Sequence, residues 1–199
     1  MSIARQILEQ ADALPEGAPL LSKALLHLGG RAAVDQALAR LAREGGLLRV
    51  GRGIYVRPVE SRFGGRAPST ARMVDGLASS RGETIVHHGA ATANALGLTT
   101  QVPMREIYLT SGRSRCLQLG AQTVDIRHAP GWQLLFPGRL AGDLLRALAW
   151  LGPEHAAEAM LRLRAKLPRS ELEAIRSVRG CLPAWMAREI SHLDSEQML

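Results

Sequence analysis

The chain has 199 residues, enough for one medium domain or two small ones, and its 46% hydrophobic and 22% charged content is the balance of an ordinary globular protein. No apolar run reaches the roughly 18–20 residues that a membrane span needs, and the N-terminus MSIARQILEQ lacks a signal-peptide apolar segment, so a cytoplasmic protein with no membrane partner is expected. A net charge of +7 and a pI near 10.6 point instead to a polyanionic partner.

The first helix is expected from Ser2 to about Ala13. Ser2 supplies its cap, and Ile3, Ile7, Leu8, Ala11 and Leu14 form a stripe at helical spacing. Pro15, Gly17 and Pro19 break it. Ser22 is the expected N-cap of a second helix whose apolar contacts are Ala24, Leu25 and Leu28, and Gly29-Gly30 makes a turn. A third helix spans about Arg31 to Glu44 and is ended by Gly45-Gly46. At 100° per residue, Val34, Ala37, Leu38 and Leu41 share one face, while Gln36, Arg40 and Arg43 lie opposite with Ala32, Ala33 and Ala39. Arg31 sits on the flank at the N-terminal end. An outward face of Arg, Gln and small residues suits insertion into a DNA groove; a solvated helix face has the same composition.

The next stretch narrows that choice. Leu47-Leu48-Arg49-Val50 and Ile54-Tyr55-Val56-Arg57 alternate with period two around Gly51-Arg52-Gly53, which reads as a hairpin with Arg52 at its tip. Helix, turn, helix and hairpin together predict a winged helix-turn-helix over residues 1–58, with Arg52 meeting phosphate or the minor groove. Gly51 and Gly53 also open a GxGxxG-like pattern, but no third glycine or following helix completes it. The arginine-rich charge suits nucleic acid, since lysine occurs only at Lys23 and Lys166. A GC-rich genome explains that ratio too, though not the net charge.

Residues 59–69 form the expected linker, in which Arg62 and Arg66 either trail along DNA or are simply solvated. Residues 70–199 are expected to be a second, α+β domain. It opens with a helix near Thr70–Ser80, a strand Thr84–His87 and a helix Ala90–Leu96 stopped by Gly97. Strands Glu106–Thr110, Arg115–Leu119 and Gln122–His128 follow in a small mixed sheet, and the chain is helical after Trp132 and Pro137. Gly152-Pro153 and Leu182-Pro183 start helices, and Ser170-Glu171-Leu172-Glu173 reads as a capping box. Arg105, Arg113 and Arg115 make the region around Thr110–Arg115 a second basic concentration. Contact with DNA, contact with an acidic protein surface and a plain polar loop fit it equally. Arg162, Arg164, Lys166, Arg169, Arg176, Arg179 and Arg188 alternate with Leu161, Leu163, Leu167, Leu172, Ile175 and Val178, an amphipathic layer whose basic face is expected to be solvated. Trp150 and Trp185 are expected to anchor helices.

Catalytic chemistry finds little support. His87 and His88, adjacent on an expected strand, point to opposite faces and cannot chelate one ion, and no HExxH or comparable cluster exists. Ser111, Ser114 and Cys116 have no motif for nucleophilic attack, and Glu83, Glu106 and Asp125 show no paired spacing. Cys116 and Cys181 have no CxxC partner and are expected to be small core residues. The expectation is no enzyme, no cofactor and no metal.

Three stretches together, VGRGIYVRP, then HHGAATANALGLTTQVP with IYLTSGRSRCLQLGAQTVDIRHAP, then SELEAIRSVRGCLPAWMAREI, resemble the AbiEi-type antitoxins of type IV toxin–antitoxin systems. The resemblance implies a winged helix that binds repeats in its own promoter and represses the operon, with Arg31, Gln36, Arg40, Arg43 and Arg52 on double-stranded DNA and Arg49 on the same hairpin. It also implies that the region after about Thr70 counteracts a nucleotidyltransferase-like toxin. A stand-alone transcription regulator and a protein-interaction adaptor that does not bind DNA are the alternatives.

Overall fold

A computed structural model describes residues 2–60, 62, 64–164 and 167–195. Lys166 of the basic C-terminal series and Ser61 and Phe63 of the linker lie outside them. The fold is α+β, built of helices and small antiparallel strand pairings. Contacts divide it into two units, residues 1–83 with 115–126, and residues 84–114 with 127–199. This grouping places the strand Arg115–Leu119 with the N-terminal residues, whereas the division at 58/59 and 69/70 follows composition. No helix among the described residues is long and apolar enough to cross a membrane.

The first unit starts with α1 (Ile3–Asp12), capped where expected: the Ser2 hydroxyl accepts from the Arg5 amide at 3.3 Å. Leu14 falls beyond its end and is exposed. After β1 (Leu20–Leu21) the segment Ser22–Leu28 winds as a 3₁₀ helix, not as a Ser22-capped α-helix. Seven residues between a strand and Gly29 suffice in that tighter winding to bury Leu25. Ser22 is buried, and its amide donates to the Gly53 carbonyl at 3.0 Å. Helix α2 (Arg31–Arg43) buries Val34, Ala37, Leu38 and Leu41 as the spacing predicts. They meet Ala4, Ile7 and Ala11 of α1, with Leu20, Leu25, Leu47 and Tyr55. Each large side chain so buried contributes about 1.5–3 kcal/mol.

Strands β2 (Leu48–Gly51) and β3 (Ile54–Val56) form the hairpin, and the sheet order is β1-β3-β2. The register shifts between Arg49 and Gly51, a bulge before the tip. The expected alternation fails in β3, where Ile54, Tyr55 and Val56 are all buried. The strand Arg115–Leu119 packs against β2: a Cβ on Gly51 would stand 2.9 Å from Leu117 Cδ2. Helix α3 (Thr70–Arg81) is capped by Ser69 and ended by left-handed Gly82. The expected linker is not free of structure, because Val59 and Arg66 exchange two backbone hydrogen bonds of 2.8 and 2.9 Å.

In the second unit β4 (Ile85–His87) pairs with β5 (Glu106–Thr110), and α4 (Gly89–Ala95) lies between them in sequence. Strands β6 (Arg115–Leu119) and β7 (Gln122–His128), whose residues up to Ile126 belong to the first unit, have the expected bounds and pair antiparallel. Helices α5 (Leu140–Leu151), α6 (Pro153–Arg164), α7 (Arg169–Ser177) and α8 (Ala184–Ser195) complete the second unit. Their core joins Leu144, Leu145 and Leu148 to Met160, Ile175, Met186 and Ile190.

Four expectations here need correction. Both cysteines are exposed: Cys116 alternates with inward Leu117, and Cys181 sits in a short turn before Pro183. Trp150 is 37% exposed and Leu161 62% exposed, so neither anchors the layer, whereas Trp185 packs on the core. The capping box does not form. Pro168 precedes α7, and Ser170 lies inside the first turn. Glu171 instead accepts from the Ala141 amide at 2.8 Å and from Arg139 at 3.0 Å, partners that hold its carboxyl below the usual range.

Arg146, unremarked in sequence, is 1% exposed and donates to the carbonyls of Gln133 and Leu135 and to Asp143. Its own carbonyl lies 2.2 Å from where a Cβ on Gly89 would sit, and Trp150 Cβ lies 2.7 Å away. Helix α4 therefore rests on α5 backbone to backbone. Gly89→Ala should destabilise the protein by about 1–3 kcal/mol or more, read as a lower midpoint of chemical denaturation; an unchanged midpoint would contradict this packing.

Candidate nucleic-acid interface

The outward face of α2 is set by its inward one. With Val34, Ala37, Leu38 and Leu41 buried, Ala32, Ala33, Gln36, Ala39, Arg40 and Arg43 are exposed. The side chains of Arg43 and Gln36 form no hydrogen bond or ion pair among the described residues, and that of Arg40 has only a 3.9 Å contact with Glu44. Arg31 donates to Asp35 at 3.1 Å on the flank, so it stands apart from the face that carries Gln36 and Arg43. Such exposed i,i+4 pairs are worth about 0.3–0.5 kcal/mol, little enough for a phosphate to replace the carboxylate. Arg40 and Arg43 lie in the last turn, where the helix dipole favours cations.

The hairpin is held against this helix. The Leu41 carbonyl accepts from the amides of Gly46 and Leu47 at 2.9 and 3.2 Å. Arg57 donates to the Gly46 carbonyl at 2.8 Å and pairs with Asp12 at 2.6 Å. One guanidinium thus joins α1, the α2–β2 turn and the end of β3. Arg49 pairs across the ladder with Tyr55, whose side chain is in the core with the helices. Paired residues share a face, so Arg49 is exposed at the sheet's edge on the helix side. Arg52 is exposed at the tip beside Gly53, whose φ is +69°. Neither the Arg49 nor the Arg52 side chain has a hydrogen bond or ion pair among the described residues.

Sequence reasoning missed Lys23. It is exposed and follows Ser22, the residue bonded to the hairpin at Gly53. The signal was its rarity as one of two lysines. The result is a set of donors, accompanied by the carboxylates of Asp35 and Glu44, suited to phosphate oxygens and base edges.

The secondary set divides. Arg115 is withdrawn from it, because both arms of its guanidinium grip Glu83, Nη1 to Oε1 at 3.1 Å, with both side chains largely buried. Arg66 is held in its backbone by Val59, and its exposed guanidinium donates to the Ala67 carbonyl at 3.3 Å. Arg62 is exposed in the same segment, and Arg105 and Arg113 are exposed in the second unit. Ser114 accepts from the His128 amide and Ser111 from the Thr84 amide, which binds the loop's hydroxyls to its own frame. Along the C-terminal helices Arg162 pairs with Glu158 and Arg169 with Glu173.

The histidine pair is corrected as well. His87 ends β4 and its ring lies 4.9 Å from that of Tyr108. His88 is not on the strand: it caps α4, its Nδ1 accepting from the Ala90 amide at 3.2 Å. Burial, and then Arg127, hold the His88 pKa below its ordinary 6.5, which keeps that nitrogen an acceptor. Among the described residues no three His, Cys, Asp or Glu side chains are placed to hold a metal ion.

A family model described as "Family of unknown function (DUF6088)" matches residues 6–174. No curated protein matches the chain. The matched span includes α2, the hairpin and the strand pairs.

Because His88 is neutral when folded but free to protonate when unfolded, its contribution is present above pH 6.5 and is lost as pH falls toward its lowered folded pKa. Denaturation midpoints measured from about pH 7.5 to about pH 5.5 should therefore fall more for wild type than for His88→Asn, whose amide caps without titrating. Parallel profiles would contradict this role.

Proposed function

The chain belongs to the DUF6088 family of unknown function, and we propose that it is a DNA-binding antitoxin whose N-terminal part is a winged helix-turn-helix. In this reading the 3₁₀ helix and α2 are the helix-turn-helix, and β2–β3 is the wing. Helix α2 enters the major groove, with Gln36, Arg40 and Arg43 toward base edges and Arg31 on the flanking phosphates. Arg52 at the tip, with Arg49 and Lys23 behind it, meets the neighbouring backbone or minor groove. The observation that carries the reading is one frame holding an outward Gln–Arg helix face and an exposed arginine at a hairpin tip. The excess positive charge agrees with it.

Repeats in the chain's own promoter are the proposed target, and repression of its operon the effect. The proposed antitoxin action belongs to the residues after Thr70 and opposes a nucleotidyltransferase-like toxin. It rests on the sequence resemblance to AbiEi-type antitoxins. The protein acts in the cytoplasm, by binding and without catalysis of its own.

Electrophoretic shift with the upstream region of its gene is expected to show a complex that weakens steeply with salt. Removing one arginine–phosphate interaction should lower the slope of log K against log salt by about 0.9. Arg40→Ala with Arg43→Ala should reduce affinity through lost base contacts, and Arg52→Ala should reduce the slope by about one such step. No shift at low salt, or a double variant that binds like wild type, would overturn the DNA half. Co-expression with an adjacent nucleotidyltransferase-like gene should restore growth; failure to rescue would remove the antitoxin half alone.

A further inference from the structure

We propose that the protein self-associates through the loop Val102–Arg105, each copy placing Met104 in a cavity of the other. Met104 is 102% exposed and Val102 76% exposed, the two most exposed large apolar side chains among the described residues. The two stand two residues apart on one loop and present their apolar surface to solvent. Their loop is not slack. The Asn94 side chain donates to the carbonyls of Thr99 and Gln101 at 3.3 and 3.1 Å, and the Thr99 hydroxyl accepts from the Gln101 amide. The backbone is thus fixed immediately before the apolar tip.

Beside that tip is a cavity of about 220 Å³ walled by His87, Ala91, Pro103, Ile107 and Tyr108. The His87 and Tyr108 rings, 4.9 Å apart and tilted by 34°, make an aromatic wall against which a thioether packs well. The volume exceeds a methionine side chain. Pro103 and Arg105 line the cavity while Met104 between them points to solvent, so a copy does not fill its own.

Charge selects a second copy as the occupant. Arg105 and Glu106 are adjacent at the rim, opposite in sign and exposed. Neither forms an ion pair or hydrogen bond among the described residues. A two-fold contact brings the same patch face to face, so Arg105 meets the partner's Glu106 and Glu106 meets the partner's Arg105. A neighbouring plus and minus charge around a knob and a hole is complementary to itself.

Sedimentation equilibrium on the full chain tests this without DNA or toxin. Wild type is expected at about twice the 21.5 kDa monomer mass at micromolar concentration. Met104→Glu should be monomeric with an unchanged circular dichroism spectrum, and Met104→Ala should raise the dissociation constant on the order of 10- to 100-fold. Arg105→Glu and Glu106→Arg should each weaken the dimer about 10-fold, and the two together should restore it. A wild-type chain that stays monomeric at hundreds of micromolar, a Met104→Glu chain that still dimerises, or a double reversal weaker than either single change would each overturn the proposal.

Discussion

Burial of one stripe of α2 governs the first unit. Val34, Ala37, Leu38 and Leu41 go inward because α1 and the sheet offer Ile7, Leu25, Leu47 and Tyr55 to meet them. A helix has no freedom to hide one face without presenting the other. The exposure of Gln36, Arg40 and Arg43 is therefore a consequence of core formation, and rotating the helix to withdraw them would expose four apolar side chains. The hairpin inherits its place from the same event, since the Leu41 carbonyl that ends the stripe also receives the amides that lead into β2.

What could be read beforehand was what depends on local periodicity. The faces of α2, the strand bounds from Glu106 to His128 and the proline-started helices follow from side-chain spacing and backbone chemistry within a few residues. What escaped was decided over long separations. Glu171 prefers the Ala141 amide, 30 positions away, to a local cap. Arg115 is taken by Glu83 at a separation of 32, so a loop that is basic in sequence is less so in space. Arg57 reads as a wing residue, yet it is a clamp between Asp12 and Gly46. Nothing in the neighbourhood of Arg146 announces a buried cation. Its partners are mostly carbonyls, which every sequence has and none displays.

The two arginine populations differ in a way that composition hides. Those facing carboxylates or carbonyls, such as Arg57, Arg115 and Arg146, are structural, and their planar fork joins several acceptors at once. Those at Arg43, Arg49 and Arg52 have donors with no partner among the described residues. The proposed reading draws on the second group, together with Gln36 and the weakly paired Arg31 and Arg40, and on none of the first. An excess of positive charge summed over the whole chain overstates what is available to a ligand.

The enclosure of β3 on both faces has a consequence for how this surface varies over evolutionary time. Ile54, Tyr55 and Val56 are all buried, Tyr55 among the helices, and Gly53 is held against Ser22. Drift is thereby channelled into the few side chains that touch nothing inside, chiefly those at Gln36, Arg43, Arg49 and Arg52. Such a frame keeps its shape while those side chains are exchanged one at a time, so on the proposed DNA-binding reading the outer surface can change without the fold changing with it.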